Sequence, residues 1–151
     1  MNLFGVMDIS ASALQAERVR AEVVASNMAN AETTRTTDGG PYRRQEVVFE
    51  QAGGDGFAGH LLGMSGGLLS GSDSPAGGVQ VTGVLSDNSA PLERYDPQHP
   101  DAGPDGYVAY PDINPLTEMV DLMGATRSYG LNATAVQAEK NMVTSSLEIL
   151  K

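Results

Sequence analysis

Apolar side chains recur with helical spacing at the two ends of this chain. Positions that advance by alternating steps of three and four residues form a mainly apolar stripe at each end, which is typical of a coiled-coil seam. The first stripe consists of Leu3, Met7, Ser10, Leu14, Glu17, Ala21, Val24 and Met28. The second consists of Met119, Leu122, Thr126, Tyr129, Ala133, Val136, Lys140, Val143, Leu147 and Leu150. The pattern predicts long amphipathic helices over Leu3–Asn30 and Leu116–Leu150.

These helices are too long for a compact small domain. At ~1.5 Å per residue the first would measure about 40 Å and the second more than about 50 Å. An amphipathic helix gains most of its stability by burying its apolar stripe. The two ends are therefore expected to pack on each other, on further copies or on another protein. An intramolecular helical hairpin that caps a sheet is the alternative.

Between the helices, the pattern changes to strands and turns. Residues Gln45–Gln51 and Val79–Val84 have the composition or the alternation of strands, and Leu92–Tyr95 with Tyr107–Tyr110 predict a small antiparallel sheet. Glycine recurs with serine and aspartate over Gly53–Gly78, where ordering the backbone would be entropically costly, so a flexible loop is expected. The order helix, β region, helix indicates an α+β fold.

The ends of the predicted helices carry recognisable signals. Asn114 followed by Pro115 is typical of an N-cap and first helical residue, because proline lacks the N–H that is unpaired there. Asn27, Asn30 and Asn132 are polar residues on the helices that would fix register and partner at a helix contact. For Asn30, a role as C-terminal cap is the alternative.

Composition restricts the function further. The chain of 151 residues has 19 acidic and 9 basic side chains, a formal net charge of -10, and no cysteine. Such a surface repels nucleic acid and anionic lipid, and disulfides and thiolate metal sites are excluded. No apolar run reaches the ~18 residues of a membrane span, and the first residues do not predict a cleavable secretory signal.

Three local motifs suggest chemistry but lack the context it needs. Gly54–Gly59 matches a dinucleotide-binding pattern without room for the helix that should follow, and Gly63–Gly67 matches a nucleophile elbow without a large sheet. Asp96, His99, Asp101 and Asp105 do not have the spacing of a known calcium or zinc site and are interpreted as a solvated acidic turn. No catalytic, cofactor or metal residue is predicted, and no small-molecule substrate.

Several segments resemble a known family. Ser26-Asn27-Met28-Ala29-Asn30 is similar to the motif that ends the first helix of bacterial flagellar rod and hook axial proteins. The segments 41–49, 95–101, 106–111 and 118–122, with Arg127-Ser128-Tyr129 and Asn132, resemble the basal-body rod proteins of that family. The resemblance covers nearly the whole chain except Gly53–Gly78. Gly130 departs from it, since a larger helix-forming residue is usual there.

The resemblance implies a structural subunit of the proximal rod, which carries torque from the rotor towards the hook. It also implies export through the flagellar type III apparatus without signal cleavage, a location in the basal body across the periplasm, and partners that include other rod proteins and copies of the chain. In such proteins the terminal helices pair as an antiparallel coiled coil around a channel. The domains would then be residues 1–32 and 113–151 for the coiled coil and 33–112 for a β-rich outer region.

The stripes and the asparagines together predict an assembly interface. Its residues are Leu3, Met7, Leu14, Val24, Asn27, Asn30, Met119, Leu122, Tyr129, Asn132, Val136, Val143 and Leu147. A cytoplasmic coiled-coil adaptor or export chaperone is the alternative function, in which the β region would be a docking surface.

Overall fold

The computed structural model describes residues 3–37, 39–52 and 77–149. Along the chain, one helix precedes four strands and one helix follows them, which confirms the α+β class. The elements are α1 (Leu3–Ala29), β1 (Gln45–Ala52), β2 (Gly78–Ser86), β3 (Leu92–Tyr95), β4 (Tyr107–Tyr110) and α2 (Pro115–Ile149). The strands form two separate antiparallel pairs, β1 with β2 and β3 with β4.

The helix boundaries follow from local hydrogen bonding. The Asn114 side chain accepts a hydrogen bond of 3.0 Å from the amide of Leu116, so the predicted N-cap before Pro115 is confirmed. At the end of α1, the Asn30 side-chain amide donates to the Ser26 carbonyl at 2.9 Å. Asn30 therefore adds a side-chain donor to a carbonyl of the last turn that its own backbone amide already bonds at 3.1 Å.

The two helices pack on each other in antiparallel orientation. Asn27 contacts Glu118 while Arg20 contacts Asp121, so the order of partners reverses along the second helix. The apolar core between the helices is small. Ala16, Val24 and Ala125 are its only buried apolar residues among those the structure describes on α1 and α2.

The β1–β2 hairpin lies along α1. It is attached at one end where Gln45 meets Asn27, and at the other where the Val79 amide donates to the Ser12 hydroxyl at 3.1 Å. Ser12 and Asn27 are fifteen residues apart on α1, and Val79 is seven residues from Ser86, the partner of Gln45, on β2. Both separations correspond to about 22–23 Å, so the attachment points are equally far apart on the helix and on the strand. A register shift between Val48 and Phe49 marks a β-bulge in the middle of β1.

The β3–β4 hairpin packs against the loop that follows α1. Asp101, in the segment that connects its strands, accepts a 2.8 Å hydrogen bond from Thr34 and lies 3.5 Å from the Arg35 guanidinium. Val108 of β4 is only 1% exposed, and Ile113 just before α2 is also buried. Apolar side chains are therefore also buried outside the helix pair.

Some of the sequence predictions fall on residues that the structure does not describe. The two glycine-rich motifs, and the predicted flexible loop up to residue 76, lie outside the described residues, while Gly78 is the first residue of β2. Across the parts of the chain that the structure describes, neither helix has a stretch apolar enough to cross a membrane.

Replacing Gly106 by alanine is expected to destabilise the β3–β4 hairpin. Gly106 has a φ of +77°, and an added Cβ would lie 2.8 Å from Cε2 of Tyr95. The left-handed backbone and this overlap together should cost about 1–3 kcal/mol of the free energy of unfolding. Urea denaturation followed by tyrosine fluorescence measures the loss.

Gly83→Ala is the matched control, because a Cβ at this position in β2 would meet no atom within 4 Å. Its stability should stay within about 0.5 kcal/mol of the wild type. Equal losses in the two variants would contradict the assignment of strain to Gly106.

Candidate assembly interface

The surface of α2 that faces α1 is a row of residues seven apart. Glu118, Ala125, Asn132 and Glu139 occupy it, and all except the half-buried Asn132 are at least 95% buried. Since α2 packs on no other helix or strand of the described structure, this burial comes mainly from α1. The centre of the helix contact is thus polar or small rather than leucine-rich.

This row is displaced by one residue from half of the predicted second stripe. The stripe places Met119, Thr126, Ala133 and Lys140 at equivalent positions, and all four are exposed. The other half of the stripe does face the seam, since Leu122, Val136 and Val143 are half-buried. The periodicity was correct, but the apolar residues selected one flank of the contact instead of its centre.

The predicted interface residues consequently fall into different environments. Val24 and Asn27 are buried, and Met119, Tyr129 and Leu147 are exposed by 49%, 45% and 62%. The half-buried residues are Met7, Leu14, Asn30, Leu122, Asn132, Val136 and Val143. The side chain of Leu3 lies outside the described part. Their role between subunits stays a prediction, which the contacts within one chain do not address.

A buried carboxylate joins the two helices to the β region. Glu118 is 1% exposed, and its two oxygens accept hydrogen bonds from Arg44 Nε at 2.7 Å and from Asn27 Nδ2 at 3.1 Å. It also lies in the first turn of α2, where the helix dipole favours a negative charge. We call Asn27, Arg44 and Glu118 the polar cluster.

Asn27 uses its whole amide in this cluster. Its oxygen accepts from the backbone amide of Gln45 at 2.9 Å and from the Tyr42 hydroxyl at 3.2 Å, while its nitrogen also donates to the Gln45 carbonyl at 2.9 Å. The side chain therefore pairs with the first residue of β1 as a neighbouring strand would. This arrangement fixes the start of the β1–β2 hairpin relative to α1.

Acidic and basic side chains alternate around the cluster. The hydrogen bond to Glu118 raises the pKa of Arg44, while partial burial opposes the rise. Arg44 also pairs with Glu46 and lies 3.9 Å from Asp121, which in turn is 3.6 Å from Arg20. Because Arg44 is charged at every pH below its already high pKa, the guanidinium compensates the buried carboxylate throughout the physiological pH range.

Elsewhere on the seam, two carboxylates are less well satisfied. Glu17 Oε2 lies 3.9 Å from Arg20 but has no hydrogen bond, and Glu139 Oε2 has no hydrogen-bond partner among the described residues. Arg18 and Glu22 form an ion pair on the exposed face of α1, at 2.9 Å. The strongest polar contacts are thus concentrated at one end of the helix pair.

Sequence periodicity did not find Glu118 or Arg44 as site residues. A charged residue breaks an apolar stripe and is ordinarily assigned to solvent. The available signal was that Glu118 follows the Asn114–Pro115 helix start by less than one turn, as expected for a carboxylate at a helix N-terminus. Nothing in the spacing indicated that Arg44, 74 residues away, would reach it.

The acidic turn contains structural contacts. His99 Nδ1 accepts a 3.1 Å hydrogen bond from the Asp101 amide, and the His99 ring packs edge-on against Tyr110. Within residues 3–37, 39–52 and 77–149, no group of three or more histidine and acidic side chains is arranged to hold a metal ion.

Comparisons with known proteins agree with the motif analysis. A family model described as "Flagella basal body rod protein" matches residues 7–35, and one described as "Flagellar basal body rod FlgEFG protein C-terminal" matches residues 105–149. The flagellar basal-body rod protein FlgC of Bacillus subtilis is 44% identical, with 100% of both chains covered. That of Borreliella burgdorferi is 36% identical over 100% of this chain and 99% of its own, and that of Salmonella typhimurium is 34% identical over 99% and 98%.

Replacing Glu118 by glutamine is expected to weaken the fold strongly. The change removes the charged partner of Arg44. Breaking a fully buried ion pair costs about 3–5 kcal/mol, and because the Arg44 side chain is 26% exposed and also pairs with Glu46, the loss here should be about 2–3 kcal/mol. The free energy of unfolding from urea denaturation measures the loss. The control is Glu22→Gln, which removes an exposed pair with Arg18 and should change stability by less than about 1 kcal/mol. Similar losses in both variants would show that the cluster is not critical.

Asn27 and Asn132 are expected to differ when each is changed to leucine. Asn27→Leu leaves the amide and carbonyl of Gln45 without their side-chain partner and should cost about 2–4 kcal/mol. Among the described residues, the Asn132 side chain bonds only to Ser128 of its own helix, so Asn132→Leu should change stability by less than about 1 kcal/mol. Circular dichroism during urea titration gives both values. A stable Asn27→Leu protein would contradict the strand-like pairing with Gln45.

Proposed function

The chain belongs to the family of flagellar basal-body rod proteins named FlgC, and on that premise we propose how it serves as a structural subunit of the rod. The family is structural and not an enzyme family. Its members belong to the flagellar basal body, which gives this chain its location and its association with other flagellar proteins. The proposal concerns how the subunit assembles and carries load.

In this proposal the subunit polymerises through its terminal helices with copies of itself and with other rod proteins. The α1–α2 pair is an antiparallel coiled coil that forms the inner domain, and residues 33–112 form the outer region. Eight large apolar side chains of α2 are more than one-third exposed in the single chain, including Met119, Tyr129 and Leu147 of the predicted stripe. Folding of the single chain leaves this apolar surface in water, and burial between subunits would remove it from water.

The observation that carries the proposal is the polar cluster of Asn27, Arg44 and Glu118. It links α1, α2 and the start of β1 through hydrogen bonds of 2.7–3.1 Å in a buried site. A rod that transmits torque from the rotor to the hook needs subunits in which the inner helices cannot turn independently of the outer region. The cluster supplies that connection, and the exposed apolar surface supplies contacts to neighbouring subunits.

The proposal includes the route by which the subunit reaches the rod. It is exported through the flagellar type III apparatus without cleavage of a signal, and the assembled rod crosses the periplasm. Support comes from the membership of the chain in the flagellar basal-body rod family.

Purified hook–basal bodies from the source bacterium test the proposal. After stringent washing, mass spectrometry should detect the chain with its encoded amino-terminal peptide. Val24→Asp places a carboxylate in the buried seam and should abolish incorporation, while the control Leu92→Asp, at a position 53% exposed on β3, should be incorporated normally. If the wild-type chain were found only in the cytoplasm, the adaptor or chaperone function would replace the rod function.

A further inference from the structure

The side of α2 that points away from α1 is apolar over its first three turns. At about 100° per residue, Leu116, Val120 and Met123 lie opposite the row that contains Glu118 and Ala125. Their side chains are exposed by 70%, 56% and 59% respectively. We call these three residues, together with Arg127 four residues further on, the outer face of α2. The single chain leaves this side of the helix uncovered.

Two glycines flank this face, and no contact within the described residues explains either of them. A Cβ added at Gly124 or Gly130 would meet no atom within 4 Å, and neither residue has a positive φ. Glycine in a helix interior is about fivefold less favourable than alanine. Neither backbone geometry nor packing within the described residues requires glycine here, so both positions are open to the close approach of another chain.

The charges of α2 are distributed with equal regularity. Glu118, Asp121 and Glu139, its carboxylates before the last turn, all lie on the side that faces α1. The outer face carries only the cation Arg127. In a chain with a formal net charge of -10, such a face can approach another copy without bringing carboxylates together.

The exposed side of α1 has the complementary character. Its residues are Asp8, Ala11, Gln15, Arg18, Glu22, Ala25 and Ala29. Small side chains allow close approach. Glu22, three residues before Ala25, pairs with Arg18 at 2.9 Å, but its side chain is 61% exposed, so a second cation can reach it. On α2, Arg127 is three residues from both Gly124 and Gly130. If Glu22 meets Arg127, Ala25 therefore lies level with a glycine in either relative direction, about 4.5 Å along the axis.

We propose that the outer face of α2 docks on the exposed side of α1 of a second copy, with Arg127 opposite Glu22 and the alanines against Gly124 and Gly130. The inference rests on the proposed function and specifies its contact. Different surfaces meet, so each added subunit leaves an unused α2 face at one end and an unused α1 face at the other. A contact of this heterologous kind propagates into an open filament.

The glycine positions give the first test, with the full-length chain. Gly124→Leu and Gly130→Leu should keep or raise the Tm of the monomer, because each adds a better helix former in open space. The same changes should weaken self-association in sedimentation velocity at least tenfold. Gly83→Leu, at a glycine of β2 whose Cβ is also unobstructed, should associate like the wild type. Unchanged association of both α2 variants would overturn the proposal.

The charge pair identifies the occupant. Arg127→Glu and Glu22→Arg should each weaken association at least fivefold, and the double variant should return to within threefold of the wild type. Loss without recovery would overturn the pairing of Arg127 with Glu22 of a second copy. A wild-type chain that neither self-associates nor enters basal bodies would refute the proposed function itself, whereas a wild type that assembles together with all its variants would refute only this contact.

Discussion

The structure depends on the burial of one carboxylate, Glu118. Removing a charged side chain from water costs several kcal/mol unless the site supplies compensating charge and hydrogen bonds. Here Arg44 supplies the positive charge, and the side-chain amide of Asn27 on α1 supplies a hydrogen-bond donor. Glu118 and its two partners come from three segments that are distant in sequence. The carboxylate is thus satisfied only when both helices and the start of β1 are in their native places.

The rest of the helix pair adds little specificity of its own. Ala16 and Ala125 allow the helices to approach closely, but alanine side chains fit almost any register. Polar groups on a seam have the opposite effect, since a shifted register leaves them without partners. The pair is therefore defined by its polar end, and the apolar residues along it supply area. Leu147 and other exposed residues far from the cluster have their apolar surface free for contacts outside the chain.

The sequence predicted the elements well because their signals are local. Asn114 and Pro115 determine where α2 starts, and the alternation over residues 79–84 identified β2. The centre of the helix contact was less accessible, since Glu118, Asn132 and Glu139 occupy it and a search for apolar residues moves to Met119 instead. The partnership of Glu118 with Arg44 could not be predicted at all. It depends on how the loop after α1 returns to the helix pair, which no local pattern records.

The attachment of the β1–β2 hairpin at two points explains how a subunit with so small a core can act as a rigid body. Asn27 bonds the start of β1, and Ser12 bonds the start of β2 near the other end of the same helix. A single hinge would let the hairpin swing about α1, whereas two attachments about 22 Å apart prevent rotation about either one. In a rod subunit, a twisting force on the helices would then reach the outer region through backbone hydrogen bonds at both sites. Rigidity here comes from the placement of a few polar contacts, and a large hydrophobic core is not required for it.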